Sequence, residues 1–407
     1  MSIVVMKFGG SSVADAARIR AAAARAIRTQ KKGHQVVMVV SAMGKTTDVL
    51  VDLAEQVSRG QAPPKREMDQ LLATGEQVTI SLMAMALEES GAKAISFTAG
   101  QIGIVTDDSH TKAKIKSIDV RQIRKQLAAG KVVVVAGFQG VTEDGAVTTL
   151  GRGGSNVTLV AIAAALKAQA CENFTDVDGM FTADPNIVPT ARKIDRISYD
   201  EMLELASQGV NVLHNRAVEF AKKYNVPIHL RNSGNERKGT MIVAKTKSME
   251  RIVVSGAALK SKLARVTLRN VPNHPGIAAR IFHTIAGGDI VVDDIIQTLG
   301  DGGKATIAFT VDLGELADAR KVVDKLAAAI KCEASYEEKL AKVSVVGIGM
   351  QMHTGVAEKM FKALADAKVN IQNITTSEIR ISCLIAQADG HTALRCVHDA
   401  FGLGKKV

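Results

Sequence analysis

The chain has 407 residues, of which 46% are hydrophobic and 23% charged, and a formal net charge of +11; this length predicts two or three domains, and this composition excludes a disordered protein. Lysines and arginines are spread along the chain and aromatics make up only 3%, so the charge points to small anionic substrates and away from nucleic acid as a partner. Cys171, Cys332, Cys383 and Cys396 form no CxxC, and no apolar run approaches the roughly 18 residues of a membrane span or the core of a signal peptide, so a cytoplasmic protein with no membrane partner is expected.

In chain order, IVVMKF reads as a strand, followed by a helix from about Val13 to Lys32 with an apolar stripe of Val13, Ile19, Ala23 and Ile27. Ser12, three residues before Asp15, suggests a capping-box-like start, and Gly33 a stop. QVVMVVSA and KVVVVAGF are further Val-rich runs between helical patterns. Such runs describe strands buried on both faces, so the first 230 or so residues predict an α/β domain with a mostly parallel sheet.

Four stretches of this domain carry candidate chemistry. KFGGSS, residues 7 to 12, is read as the junction between the first strand and first helix, where glycines admit an anion to backbone N–H groups and Lys7 adds a charge; a plain tight turn is the alternative. It is neither a Walker A loop nor GxGxxG. MDQLLATGEQVTISLMAMAL (68–87) puts Thr74, Gly75 and Glu76 ahead of or within a strongly apolar helix. A glutamate there needs a partner, and a substrate ammonium is one; a first-turn position favoured by the helix dipole is the other explanation. LGRGGSN (150–156) runs into VTLVAIAAAL, a second glycine-rich helix start, and two such junctions suit a phosphoryl donor and its acceptor. Arg152 supplies a planar fork that matches a carboxylate. FTDVDGMFTADP (174–185) follows strand-like ACENF and offers Thr175, Asp176, Asp178 and Asp184. Loops after parallel strands bind ligands, so these residues are candidates beside a nucleotide or its metal, against the alternative of a polar turn.

Beyond residue 240, ARVTLRNVPNHPGIAARIFHTIAGGDIVVDDI (264–295) aligns with AKVSVVGIGMQMHTGVAEKMFKALADAKVNIQNI (341–374). Gly276 matches Gly355, Phe282 matches Phe361 and Ile290 matches Val369, each 79 residues apart. The last third therefore predicts a tandem pair of small α+β modules, after a polar linker near 244–253.

With KFGGSS, SAMGKTTD, LLATGEQVT, TTLGRGGS and TDVDGMFTADP in this order, followed by paired modules, the chain resembles the aspartokinases of the monofunctional, lysine-sensitive type. The resemblance runs essentially end to end. It implies an amino-acid kinase fold over 1–245 and two ferredoxin-like ACT modules, at 264–338 and at 341–407, the second completed by an earlier strand at 251–258. The implied activity is transfer of the γ-phosphate of ATP, with Mg2+, to the side-chain carboxylate of L-aspartate. This is the first step toward lysine, threonine and methionine.

By the same resemblance Lys7 offsets charge on the transferred group, with Gly9, Gly10 and Ser11 lining its path. Ser41, Thr46 and Glu76 hold the amino acid, Glu76 taking its ammonium, and Arg152 takes the α-carboxylate. Thr175, Asp176, Asp178 and Asp184 lie along the nucleotide, and no residue is assigned as a metal ligand. Asp293, Gln297, Asn370, Ile371, Ser377 and Glu378 match effector contacts for lysine and/or threonine, and pairing of ACT modules implies a homodimer or higher oligomer.

The chain departs from the family pattern at Asn156, where GRGGSD is usual and the catalytic set has an aspartate, at Asn186 and Asn211, where cations are usual, and at Asn273, Val291 and Thr298 in the first module. Two other readings stand beside the aspartokinase: a kinase for another small acid, and a non-catalytic homologue that binds amino acids. Met249 marks where some relatives begin a separate regulatory subunit; at best a minor internal product is expected here.

Overall fold

The computed structural model describes residues 1–210, 212–245, 253–300 and 302–405. Asn211, Met249 and most of the expected linker lie outside them. The chain divides into two compact units, Met1–Phe181 with Lys193–Ala206 and Asn211–Lys247, and Thr182–Arg192 with Ser207–Val210 and Ser248–Val407.

The first unit is built on an eight-stranded sheet in the order Arg196–Ser198, Thr240–Val243, Ile228–Asn232, Ala170–Thr175, Ile3–Phe8, Gln35–Val40, Val132–Ala136 and Ala94–Phe97. Every pairing is parallel except Ile228–Asn232 with Thr240–Val243. The Val-rich runs are buried residue after residue because both faces are covered. Val4, Met6 and Phe8 pack with Met38 and Val134 against Ile19, Ala23, Ile80 and Met83 of the helices Ala16–Lys31 and Lys65–Glu89. The other face lies under the helix Gly154–Leu166, ten of whose 13 residues are buried.

Ile3–Phe8 sits between Gln35–Val40 and Ala170–Thr175, so strand order reverses there. Open parallel sheets bind ligands in the crevice beyond the carboxyl ends at such a point. A smaller sheet, Ile115–Ile118, Ile104–Thr106, Gln139–Val141 and Val147–Thr149, adds Thr149 to that rim.

The first helix starts later than its sequence pattern suggests. Gly10–Val13 form a 3-10 turn, and Asp15 is itself the N-cap, accepting from the Arg18 N–H, while Ser12 Oγ donates to Ser233 Oγ. The capping-box expectation therefore fails, because a turn intervenes between strand and helix. Gly33, with φ +89, ends the helix as expected.

The second unit carries both copies of the repeat. Gly276 (φ +93) and Gly355 (φ +85) each open a helix, Ile277–Ala286 and Val356–Asp366. Each helix is followed by an edge strand, Asp293–Leu299 or Asn373–Ser377, then an inner strand, Lys304–Asp312 or Arg380–Ala386, and a second helix, Leu316–Ile330 or Gly390–Ala400. Two long strands, Gly256–Pro272 and Glu333–Val346, run through both copies in one six-stranded sheet. Residues 256–260 pair with 342–346 beside the second copy, and 263–272 pair with 304–312 in the first. The strand beside the second copy thus begins at Gly256; Arg251 and Ile252 lie outside the described residues.

Lys342 is buried at the centre of this unit, its Nζ 2.6 Å from Asp293 Oδ2 and 2.9 Å from Asp294 Oδ2. Thr375 Oγ1 donates to Asp294 Oδ1 at 3.1 Å, so the two edge strands of the sheet meet there. Removing one partner of a buried ion pair strands the other charge. Asp294→Ala is expected to cost about 3–5 kcal/mol in urea unfolding, whereas Lys342→Met with Asp294→Leu should come close to wild type. Among the described residues no helix is long and apolar enough to cross a membrane.

Candidate active site

A cavity of about 710 Å³ opens beyond the carboxyl ends of the central strands, bordered by Lys7, Ser41, Glu76, Phe138, Arg152 and Asn156. Lys7 is the penultimate residue of its strand, and Ser41 and Phe138 follow the ends of two others. The sheet thus delivers them together.

Lys7 is 8% exposed and has no ion pair among the described residues. Burial pulls its ammonium down to about 8, against the opposing charge of Asp176. Glu76 is 2% exposed and lies mid-helix, so the first-turn explanation for it is wrong: the helix begins at Lys65. Its Oε1 accepts the Ala42 N–H at 2.8 Å, while Oε2 is buried without a partner among the described residues. Burial pushes the carboxyl up to about 7 in spite of that hydrogen bond. Gly75 permits this approach, since a Cβ there would stand 2.8 Å from Ala42 Cβ.

The three glycines around Arg152 have distinct tasks. Gly151 and Gly153 take φ of +75 and +70, which side chains resist. A Cβ on Gly153 would also strike His214 at 2.3 Å, and one on Gly154 would come within 2.8 Å of Phe138. Arg152 is left exposed at the mouth of the helix Gly154–Leu166, with no hydrogen bond or ion pair among the described residues. Ser155 Oγ accepts from Ser41 Oγ at 2.9 Å, and Asn156 Oδ1 is buried with no partner among the described residues.

Other expected site residues stand apart from this lining. Gly9 and Gly10 lie over a 3-10 turn, not a helix start, so the dipole argument does not apply to them. Their want of side chains has another cause: a Cβ on Gly9 would press on Lys7 Nζ at 3.2 Å, and one on Gly10 on the Ala42 carbonyl at 2.9 Å. Ser11 is exposed within that turn. Thr46 Oγ1 donates to the Met43 carbonyl, and its neighbour Thr47 lines the cavity instead. Thr175 donates to Asp176, which is exposed and felt by Lys7. Asp178 is occupied by Asn235, Arg237 and Asn232, which hold its carboxyl below the usual range. Asp184 belongs to the second unit and accepts the Asn186 N–H.

In the second unit, Asp293 is already paired with Lys342, which holds its carboxyl down against burial. Gln297 is exposed on the same edge strand; Ser377 ends the other edge strand, with Asn370 and Ile371 before it and Glu378 just after it.

The cavity also takes in Thr111, Thr149, Asp48 and Asp52, which pattern reading missed. Phe138 was accessible in principle, since it follows the strand-like run VVVVA. Thr111 comes from a loop of the smaller sheet, where no glycine-rich signature marks it, and Thr149 ends a strand of that sheet just before LGRGG.

The model of the amino acid kinase family matches residues 2–232, and an ACT domain model matches 343–401. The aspartokinase of Geobacillus stearothermophilus is 48% identical over 407 residues, covering 100% of this chain and 99% of that one. The chain belongs to the aspartokinase family. This aspartokinase also shares the fold of E. coli aspartokinase III in complex with aspartate and ADP in the R-state, with a TM-score of 0.83, 26% identity and coverage of 98% and 99%. The same protein in complex with lysine and aspartate in the T-state gives a TM-score of 0.78 at 26% identity, with the same coverage. The chain is an aspartate kinase with an amino-acid kinase domain and ACT modules, and the readings as a kinase for another acceptor or a non-catalytic homologue gain nothing from these relatives.

Proposed function

We propose that the cavity holds L-aspartate beside the γ-phosphate of ATP, with Lys7, Glu76 and Arg152 as its working charges. The observation that carries this is the pair of buried, opposite charges left unmatched in one cavity, Lys7 and Glu76 Oε2. Buried charges without partners are costly, so they mark a place where a ligand supplies the partner. Glu76 Oε2 takes the ammonium of aspartate and the Arg152 fork its α-carboxylate. This leaves the side-chain carboxylate facing Lys7.

That carboxylate has an ordinary pKa of about 3.9 and is ionised at neutral pH, so no base is needed. Its oxygen forms the new bond to the γ-phosphorus, the bond from that phosphorus to the β–γ bridging oxygen breaks, and ADP departs with the electron pair. Lys7 offsets charge on the phosphoryl oxygens, Asn156 donates through its amide, and catalysis rests on placement and charge. Thr175, Asp176 and the backbone of Gly9, Gly10 and Ser11 border the nucleotide, whereas the ties on Asp178 give it a loop-building role.

Among the described residues no group of three or more His, Cys, Asp or Glu side chains is poised for a metal. Mg2+ would be carried in on the nucleotide phosphates, an ion that keeps most of its ligands outside the protein. When bound, the ion would neutralise phosphate charge, with Asp176 a candidate carboxylate beside it. Lysine, threonine or both act as effectors at the edge strands of the ACT modules, near Gln297, Asn370, Ile371, Ser377 and Glu378, in a homodimer or larger assembly. The kinase domain is taken as 1–245, with the modules at 264–338 and at 341–407 plus the segment around 251–258.

Hydroxylamine trapping of acyl phosphate tests the reaction. Wild type is expected to form it from aspartate and MgATP, and no product would sink the reading. Asn156→Asp adds a carboxylate to the first turn of a helix, where negative charge is favoured. It is expected to keep kcat within about threefold and to move the alkaline limb of the rate profile upward by about one pH unit, as a neighbouring charge raises the Lys7 pKa.

A further inference from the structure

Asp69 is fully buried on the helix Lys65–Glu89 and does not itself line the cavity. Its carboxylate accepts from Thr149 Oγ1, accepts the Thr111 N–H at 3.1 and 3.0 Å, and meets His110 Nδ1 at 2.7 Å. Thr111 and Thr149 both line the cavity. Thr111 has a φ of +70, a conformation that a β-branched residue keeps only when its surroundings impose it. Its carbonyl oxygen lies 3.0 Å from the place a Cβ on Gly151 would occupy, so the loop bearing Thr111 seats directly on the turn that presents Arg152.

From another side Arg216 completes the grip. Its guanidinium donates to the Leu150 and Ala113 carbonyls, both at 2.6 Å, and the Ala113 N–H donates to the Thr149 carbonyl at 2.9 Å. One buried carboxylate and one guanidinium therefore clamp the same two backbone segments, 110–113 and 149–151. Arg152 follows immediately and has no tether of its own among the described residues. A charge-bearing side chain that must meet a carboxylate in a fixed orientation needs such support from the groups behind it.

We infer that Asp69 is a positioning residue for the acceptor amino acid: through Thr149 and the left-handed Thr111 it fixes the Gly151 turn and hence where Arg152 points. This rests on the reading that Arg152 receives the α-carboxylate. Loss of the clamp then weakens aspartate binding and leaves phosphoryl transfer from a bound pair largely intact.

The test is steady-state kinetics of the full chain, with aspartate and MgATP varied in turn, on Asp69→Asn, Thr149→Val, Thr149→Ser and Arg152→Ala. Asp69→Asn and Thr149→Val are expected to raise KM for aspartate about tenfold, with kcat within about threefold and KM for MgATP within about twofold, the pattern of lost uniform binding. Thr149→Ser, which keeps the hydroxyl, should restore wild-type KM. An unchanged KM for aspartate in Thr149→Val overturns the inference, as does a fall in kcat that merely follows the folded fraction. Should Asp69→Asn fail to fold, the Thr149 pair decides alone. If Arg152→Ala leaves KM for aspartate unchanged, the acceptor reading itself falls; if Arg152→Ala raises it and the Thr149 and Asp69 variants do not, only the positioning role falls.

Discussion

Lys7→Met is expected to lower kcat by about a thousandfold, the scale of losing one preorganised charge at a site of developing charge, while leaving the ligand-free protein more stable. The second half follows from burial. The folded chain holds the Lys7 ammonium at about 8, below its ordinary 10.5. The native state therefore releases this proton earlier than the unfolded chain does, and the penalty of the charged form is fully present below about pH 8. That penalty fades as pH rises from 8 to about 10.5, and at pH 7 it amounts to roughly 3 kcal/mol. Methionine fills a similar volume without the charge, so urea unfolding at pH 7 should show a gain of up to that size. A variant that is both inactive and less stable would contradict the account of an unpaired buried ammonium.

Glu76→Gln carries the mirror-image expectation. Its carboxyl, held at about 7 where 4.5 is ordinary, keeps its proton longer in the folded state. Stability from this group is thus greatest at acid pH and is lost as pH rises from about 4.5 through 7, by roughly 3 kcal/mol at pH 8. Glutamine can still accept the Ala42 N–H, so the ligand-free variant should unfold later at pH 8, with the difference vanishing near pH 4. KM for aspartate should rise about a hundredfold, as expected for losing a buried charged partner of an ammonium. Turnover needs Glu76 ionised and Lys7 protonated, so kcat/KM of the wild type should be bell-shaped, with limbs near the free-enzyme values of 7 and 8. Loss of the acid limb in Glu76→Gln would assign it; an unaltered limb would give it to another group.

The strands of the kinase domain were legible because IVVMKF, QVVMVV and VVVVA are buried on both sides and so carry an unbroken apolar signal. Lys7, Glu76 and Arg152 stood out for a related reason: each interrupts a pattern that glycine or apolar neighbours had set. Thr46 is named by the resemblance alone; which of two adjacent threonines borders the cavity is decided by helix register, and there it is Thr47. Asp69 left no trace in the sequence. A charged residue in a helical pattern reads as solvent-facing, and its burial depends on hydrogen bonds from residues some 40 and 80 positions away. Lys342 escaped for the same reason, since its two carboxylates come from an edge strand about 50 residues earlier.

The two strands that run through both ACT copies have a mechanical meaning. Each bends at a lysine with left-handed backbone, Lys262 at φ +61 and Lys339 at φ +61, and the ladder slips register between Lys260 and Leu263. No loop separates the copies at these crossings: each lies within one continuous strand, although the ladder skips residues 261–262 and 338–339. The two copies are therefore joined by strand and not by a linker. A twist applied at one end would have two antiparallel strands to run along, and two glycines inserted after Lys262 would turn one of them into a slack cord.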